Sequence, residues 1–277
     1  NPRSTESNLV IFPKPMTAVE LRTNATLVEL HPISVSRMPV STIQAARSPV
    51  STSDRRIITR NEWGADASLL VTSKTSTSDL TTPEMGDNGG ITPTAREREC
   101  NDHVARYPDE FRVINTVKTD AQGRTLRWPQ QQMPEVKMFV VHHTAMNTGN
   151  DARPAVERMR ALYQYHAKSN GWGDVGYHYI IDEAGGIYEG RAGGPHVVAG
   201  HTYCNNIGTL GIALMGNFEE SAPPQDQVLA LQWLLKHLAD QEHVDVSKSV
   251  TFHGKTYQSI VGHRDLLSTS CPGFYVY

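Results

Sequence analysis

The sequence predicts an α/β fold: a mixed central β-sheet flanked by helices, with an extended N-terminal arm. Three observations carry this. Short apolar runs of strand length recur from residue 136 onward, two amphipathic segments of helical period lie between them, and Gly-rich turns separate the rest. A chain of 277 residues is enough for one large domain or two small ones, and its 38% apolar and 20% charged residues are those of a globular protein. The net charge of −3 supplies no basic field for nucleic acid. No run approaches 18 apolar residues, which excludes a membrane-spanning helix of ordinary composition. A monomer is expected.

Residues 1–55 are rich in Ser, Thr, Pro, Val and Arg and read as an arm or a small β-rich extension. Asn1 at the start, with no visible signal segment, fits either a removed leader or a fragment. Asn24-Ala25-Thr26 has the form of a glycosylation sequon, a tripeptide frequent by chance. The main domain spans 56–277, with an insertion around 67–130. Within it, ten of the 24 residues from Val71 to Thr94 are Ser or Thr, a composition that reads as a long surface loop.

Beyond Glu135 the pattern becomes regular. Val136 to Val141 is a buried strand. Asp151 to Ser169 is a helix, with Val156, Met159, Leu162, Tyr163 and His166 on one face and Gly171 as its stop. Tyr177 to Asp182 and Ile187 to Glu189 form a hairpin about Ala184-Gly185-Gly186. Thr209 to Met215 is a further strand, and Gly208 and Gly211 permit close backbone approach. Gln225 to Gln241 is the second helix, its stripe Val228, Leu231, Leu234, Leu235 and Leu238. Ser259 to Gly262 leads into His263.

Three segments carry chemistry: Val140-Val141-His142-His143-Thr144, Gly262-His263-Arg264-Asp265 and Ser270-Cys271-Pro272-Gly273. Each sets a zinc-type ligand at a strand end or in a turn. Two imidazoles and one thiolate leave tetrahedral Zn²⁺ one open position, the arrangement of a catalytic site. Singly, each segment is weak, because a lone histidine is more often a surface or core residue and a buried cysteine a small hydrophobe.

With their neighbours these segments resemble the peptidoglycan recognition protein family, also called the type-2 N-acetylmuramoyl-L-alanine amidase family. One matching block is Ile57 to Ala65, with Arg60 and Trp63-Gly64-Ala65. The other runs from Met138 to Gly273 and includes His142-His143-Thr144, Gly171-Trp172, Gly176-Tyr177-His178-Tyr179, Ile187 to Arg191, Gly200-His201-Thr202, Gly216-Asn217-Phe218, Gly262 to Asp265 and Cys271-Pro272-Gly273. The resemblance implies that His142, His263 and Cys271 hold zinc, with His143 a lesser candidate that faces substrate instead. It implies that Tyr177 is catalytic, and that Thr269 stands where phage-type members carry a catalytic lysine. Members lacking the cysteine bind peptidoglycan without cutting it, so Cys271 favours an enzyme.

The expected activity is hydrolysis of the amide between N-acetylmuramic acid and L-alanine in peptidoglycan or muropeptides; the alternative is a non-catalytic recognition module. Zinc and a tyrosine hydroxyl suit amide hydrolysis, which needs an activated water and a donor to the oxyanion. Arg191 and His201 are candidates for substrate contact, Arg191 through bidentate binding of a stem-peptide carboxylate or, equally, as a structural ion pair. His166 and His178 read as packed residues. With Cys271 assigned to zinc, Cys100 and Cys204 either form a disulfide in a secreted or envelope protein or remain separate thiols.

Overall fold

Six strands pair into one mixed sheet in the computed structural model, which describes residues 55–72 and 94–277. All of these belong to a single unit. The sequon, nearly all of the arm and most of the Ser/Thr-rich stretch lie outside the described residues. The last arm residue, Arg55, lies within them and is part of the body: it is buried and donates to Gly185 O.

The strands are β1 (Ile57–Ile58), β4 (Met138–His143), β5 (Tyr179–Ile181), β6 (Ile187–Glu189), β7 (Thr209–Leu214) and β10 (Ile260–Gly262), in the order β1-β6-β5-β7-β4-β10. Only the β5–β6 hairpin is antiparallel. Central β4 and β7 are buried at every position, as parallel strands covered on both faces must be.

The remaining elements complete the chain. Helix α1 (Ala95–Arg106) and the hairpin β2 (Asn115–Thr119) with β3 (Thr125–Gln132) fill much of the insertion. Helix α2 (Ala155–Gln164) continues into a π-turn over Tyr165–Ser169. Helix α3 (Gln225–Glu242), the hairpin β8 (Ser249–Phe252) with β9 (Lys255–Gln258), and the short α4 (His263–Leu266) follow.

Side chains alternate across the sheet and so choose the helix they meet. Phe139, Tyr179, Ile181, Leu210, Ile212 and Leu214 pack with Ala230, Leu234 and Leu238 of α3. On the other face, Ile180, Tyr188, Ala213 and Met215 meet Trp63 and α2 residues Met159, Leu162 and Tyr163. The centre of the α3 face is therefore one step away from the expected stripe. Buried Gln227 lies on it, because its amide nitrogen donates to the Ile181 and Met215 carbonyls at the sheet end.

Three boundaries differ from expectation. Strand β4 starts at Met138, not Val136, and carries both histidines at its end. Helix α2 starts after Pro154, four residues later than the apolar pattern suggested. Tyr177 precedes β5 rather than opening it; Arg191 N–H donates to its carbonyl.

Candidate metal centre

The ligand candidates lie at the C-terminal ends of neighbouring parallel strands, where such sheets carry their sites. His142 is the fifth residue of β4, and His263 directly follows β10, which pairs with β4. Cys271 returns from α4 in a turn whose Gly273 packs flat against the Phe218 backbone, 2.4 Å from where a Cβ would stand. One ligand atom from each of His142, His263 and Cys271 fits within a 4.8 Å spread. His142 Nδ1 is 3.6 Å from Cys271 Sγ, and the His142 and His263 ring centres are 4.5 Å apart.

The electrostatics suit a soft cation. Burial, reinforced by the neighbouring His201 and His263, holds His142 far below the usual histidine range. Burial first, then Arg96, lowers His263 to about 4. Both rings are thus neutral near pH 7. Burial raises the Cys271 thiol to about 11, although the His143 main-chain N–H donates to its sulfur at 3.4 Å. His263 Nε2 is buried with no hydrogen-bond partner among the described residues. Two imidazoles and one sulfur, with one atom from each within 4.8 Å of the others, fit zinc in donor type and number.

Tyr177 stands beside this cluster, its ring 5.1 Å from that of His142. Burial, then the nearby Cys271, pushes its hydroxyl above the ordinary tyrosine range, so it keeps its proton. Thr269 is exposed, and its Oγ1 accepts from Cys271 N–H at 3.3 Å.

The other three candidates are buried. His143 alternates to the far side of β4 from His142, where its Nδ1 accepts from Phe218 N–H. Arg191 is 3% exposed and donates to Val175 O, so its guanidinium presents no surface to a carboxylate. Its structural-ion-pair alternative has a counterpart in buried Asp174, whose charge acts on it. His201 is likewise buried, with Nδ1 2.9 Å from His142 Nε2 and Nε2 3.3 Å from Thr209 Oγ1. Both ring nitrogens are occupied, which leaves neither for a sugar or peptide.

His166 and His178 are packed. His166 Nδ1 accepts from Gly176 N–H, and its ring lies 4.8 Å from Trp172. His178 is held between Val197 O and Gly211 N–H. Sequence reasoning missed Asp174, which accepts from Arg60, Val175 and Ala192 and thereby joins the Arg60–Trp63 motif to the loop after β6. In the sequence it is marked only by lying between Gly171-Trp172 and Gly176-Tyr177. Thr209 was missed as well, since nothing in its pattern separates it from a strand-opening residue. Cys100 and Cys204 form a disulfide that links α1 to the turn after His201.

Among the described residues, no helix is long and apolar enough to cross a membrane. The family model described as N-acetylmuramoyl-L-alanine amidase matches residues 131–274. The chain is 30% identical over 161 residues to peptidoglycan-recognition protein SC2 of Drosophila simulans, covering 58% of this chain and 81% of that one. It is 34% identical over 142 residues to a peptidoglycan recognition protein of Trichoplusia ni, covering 51% and 71%. The human N-acetylmuramoyl-L-alanine amidase is 30% identical over 144 residues, which are 51% of this chain but 23% of that protein. Among solved structures, Drosophila peptidoglycan recognition protein SD aligns with 79% of this chain and 88% of its own, at 23% identity and a TM-score of 0.48. A match over more than half of the chain, together with these relatives, establishes that it belongs to the N-acetylmuramoyl-L-alanine amidase family.

Proposed function

We propose that the protein is a zinc-dependent amidase that cleaves the bond between the lactyl group of N-acetylmuramic acid and L-alanine in peptidoglycan. The observation that supports this best is the His142, His263 and Cys271 cluster, with one ligand atom of each within 4.8 Å of the others. When bound there, zinc supplies a more acidic water and a polarised amide carbonyl.

The chain's own groups do the rest. Tyr177, held protonated by burial, donates a hydrogen bond to the oxygen that gains charge as the carbonyl becomes tetrahedral. The His143 main-chain N–H stabilises sulfur negative charge on Cys271. Thr269 steadies the Cys271 turn through its oxygen, which leaves its hydroxyl proton for a substrate oxygen. The Cys100–Cys204 disulfide supports secretion or an envelope location, since such bonds persist in oxidising compartments.

A second reading is a recognition module that holds peptidoglycan without turnover, and the names of two relatives favour it. Metal analysis combined with digestion of defined muropeptides, read by mass spectrometry, separates the two. The amidase reading expects stoichiometric zinc and free stem peptide. Binding of muropeptide with zinc present and no peptide released would overturn it.

A further inference from the structure

His142 can bond a cation through Nδ1 only if that nitrogen carries no proton, and a neutral imidazole is free to choose either tautomer. A chain of hydrogen bonds behind the ring makes the choice. Thr209 Oγ1 lies 2.6 Å from Asn205 O and 3.1 Å from Asn206 O. Neither carbonyl has a proton to give, so the single hydroxyl proton of Thr209 is spent on them. Toward His201 Nε2, 3.3 Å away, Thr209 therefore accepts, and His201 carries its proton on Nε2. His201 Nδ1 is then a bare acceptor, 2.9 Å from His142 Nε2. His142 must donate from Nε2, and its Nδ1 lone pair is left toward Cys271 Sγ.

The fold makes room for this chain. Thr209, Gly211 and Ala213 lie on the face of β7 beside β4, paired in register with Met138, Val140 and His142. The His201 ring rests on Gly211, where a Cβ would come within 2.5 Å of its Cγ. The far end is tied to two residues outside the amidase match, Cys100 and Glu110. Cys204 is bonded to Cys100 of α1, and Asn205 Oδ1 lies 3.0 Å from His253 Nδ1. The His253 N–H donates in turn to Glu110, just beyond α1.

We propose that Thr209 and His201 are positioning residues that set the tautomer of His142 for metal binding, and that the turn pinned to α1 holds their far end in place. The inference rests on the zinc reading for its purpose, but the tautomer itself is a property of the metal-free chain. Outer-shell partners of this kind typically change metal affinity by about 10–100-fold.

The experiment compares wild type, Thr209→Val and Thr209→Ser. In the metal-free proteins, long-range ¹⁵N–¹H NMR reads the His142 tautomer; zinc dissociation constants come from competition with a chromophoric chelator. Wild type is expected to show His142 protonated on Nε2. Valine removes the hydroxyl acceptor while keeping the shape and the Thr209 main-chain bond to His201, so His142 is expected to shift part of the way toward the Nδ1–H form and zinc to bind more weakly, by up to about 10–100-fold. Serine is expected to restore both. A valine variant with the wild-type tautomer, or with zinc affinity within twofold of wild type, would overturn the proposal. So would a serine variant that behaves like valine, because the role would then be packing. If wild type takes up no zinc, the zinc reading fails by itself, and the tautomer comparison still decides the relay.

Discussion

His142 Nδ1 and Cys271 Sγ lie 3.6 Å apart across 129 residues of chain, one on a strand and the other in a turn. With the sulfur kept protonated up to about pH 11 by burial, this pair without a cation is a neutral contact. A divalent metal held there would make them imidazole and thiolate ligands, with release of the thiol proton. Cys271→Ala is therefore expected to lose stoichiometric zinc and peptide release together. Elemental analysis and a muropeptide assay check this; full activity in a zinc-free variant would remove the metal from the mechanism.

The fold and the candidate ligands were legible for different reasons. Strands β4 and β7 announce themselves as short runs buried at every position, and helices α2 and α3 through helical periodicity, because each helix buries one face. The ligands were legible through motif order along the chain, not through spacing. Helix α1 escaped notice since Cys100 is its one buried residue and most of its other residues are polar. The β2–β3 hairpin exposes four of the five β2 residues and so shows no clean alternation. Arg191 and His201 read as candidates for substrate contact, Arg191 equally as a structural ion pair, because a sequence shows polarity but not depth. Both turned out to be buried among partners that come from distant segments.

The arm boundary makes a second prediction. Arg55 belongs to the body, and β1 begins two residues later along the β6 edge. Deleting residues 1–50 is thus expected to leave a folded protein with unchanged muropeptide hydrolysis. Deleting residues 1–55 should cost stability, because it removes the donor to Gly185 O. Thermal melts of the two truncations check the difference, and equal melting temperatures would count against a structural role for Arg55.

A third prediction concerns acid. His253 is 5% exposed, stacked 4.7 Å from Phe111 and 4.1 Å from Phe252. Burial, with His103, Lys137 and Lys255 adding like charge, lowers it to about 4, while Glu110 Oε2 at 3.7 Å is its nearest carboxylate. The unfolded chain takes up this proton near pH 6.5, before the folded chain does. Its contribution is therefore complete above about pH 6.5 and is lost as pH falls toward 4, at up to about 1.4 kcal/mol per pH unit. Asparagine tolerates the left-handed backbone at this position, φ 47°. His253→Asn should be less stable than wild type at pH 7, and the gap should narrow by pH 4.5. Denaturant melts across that range check it; a constant gap would mean the ring does not titrate in this window.

Tyr177 provides the sharpest test of the chemistry. Its ring sits 5.1 Å from His142 and 5.6 Å from His166, so its carbon framework packs whether or not the hydroxyl is present. Tyr177→Phe removes one oxygen from a group outside the His142, His263 and Cys271 cluster. Zinc content and melting temperature should stay near wild type. The hydroxyl keeps its proton through the whole neutral range, so it acts as a donor and not as a base. Loss of one oxyanion donor typically lowers kcat by about 10²–10³. An interaction made mainly in the transition state leaves KM little changed, so kcat and kcat/KM should fall together. Unchanged kcat would make Tyr177 a packing residue. Lost zinc would assign it to ordering the ligand shell, and a raised KM at constant kcat would make it a contact for bound substrate alone.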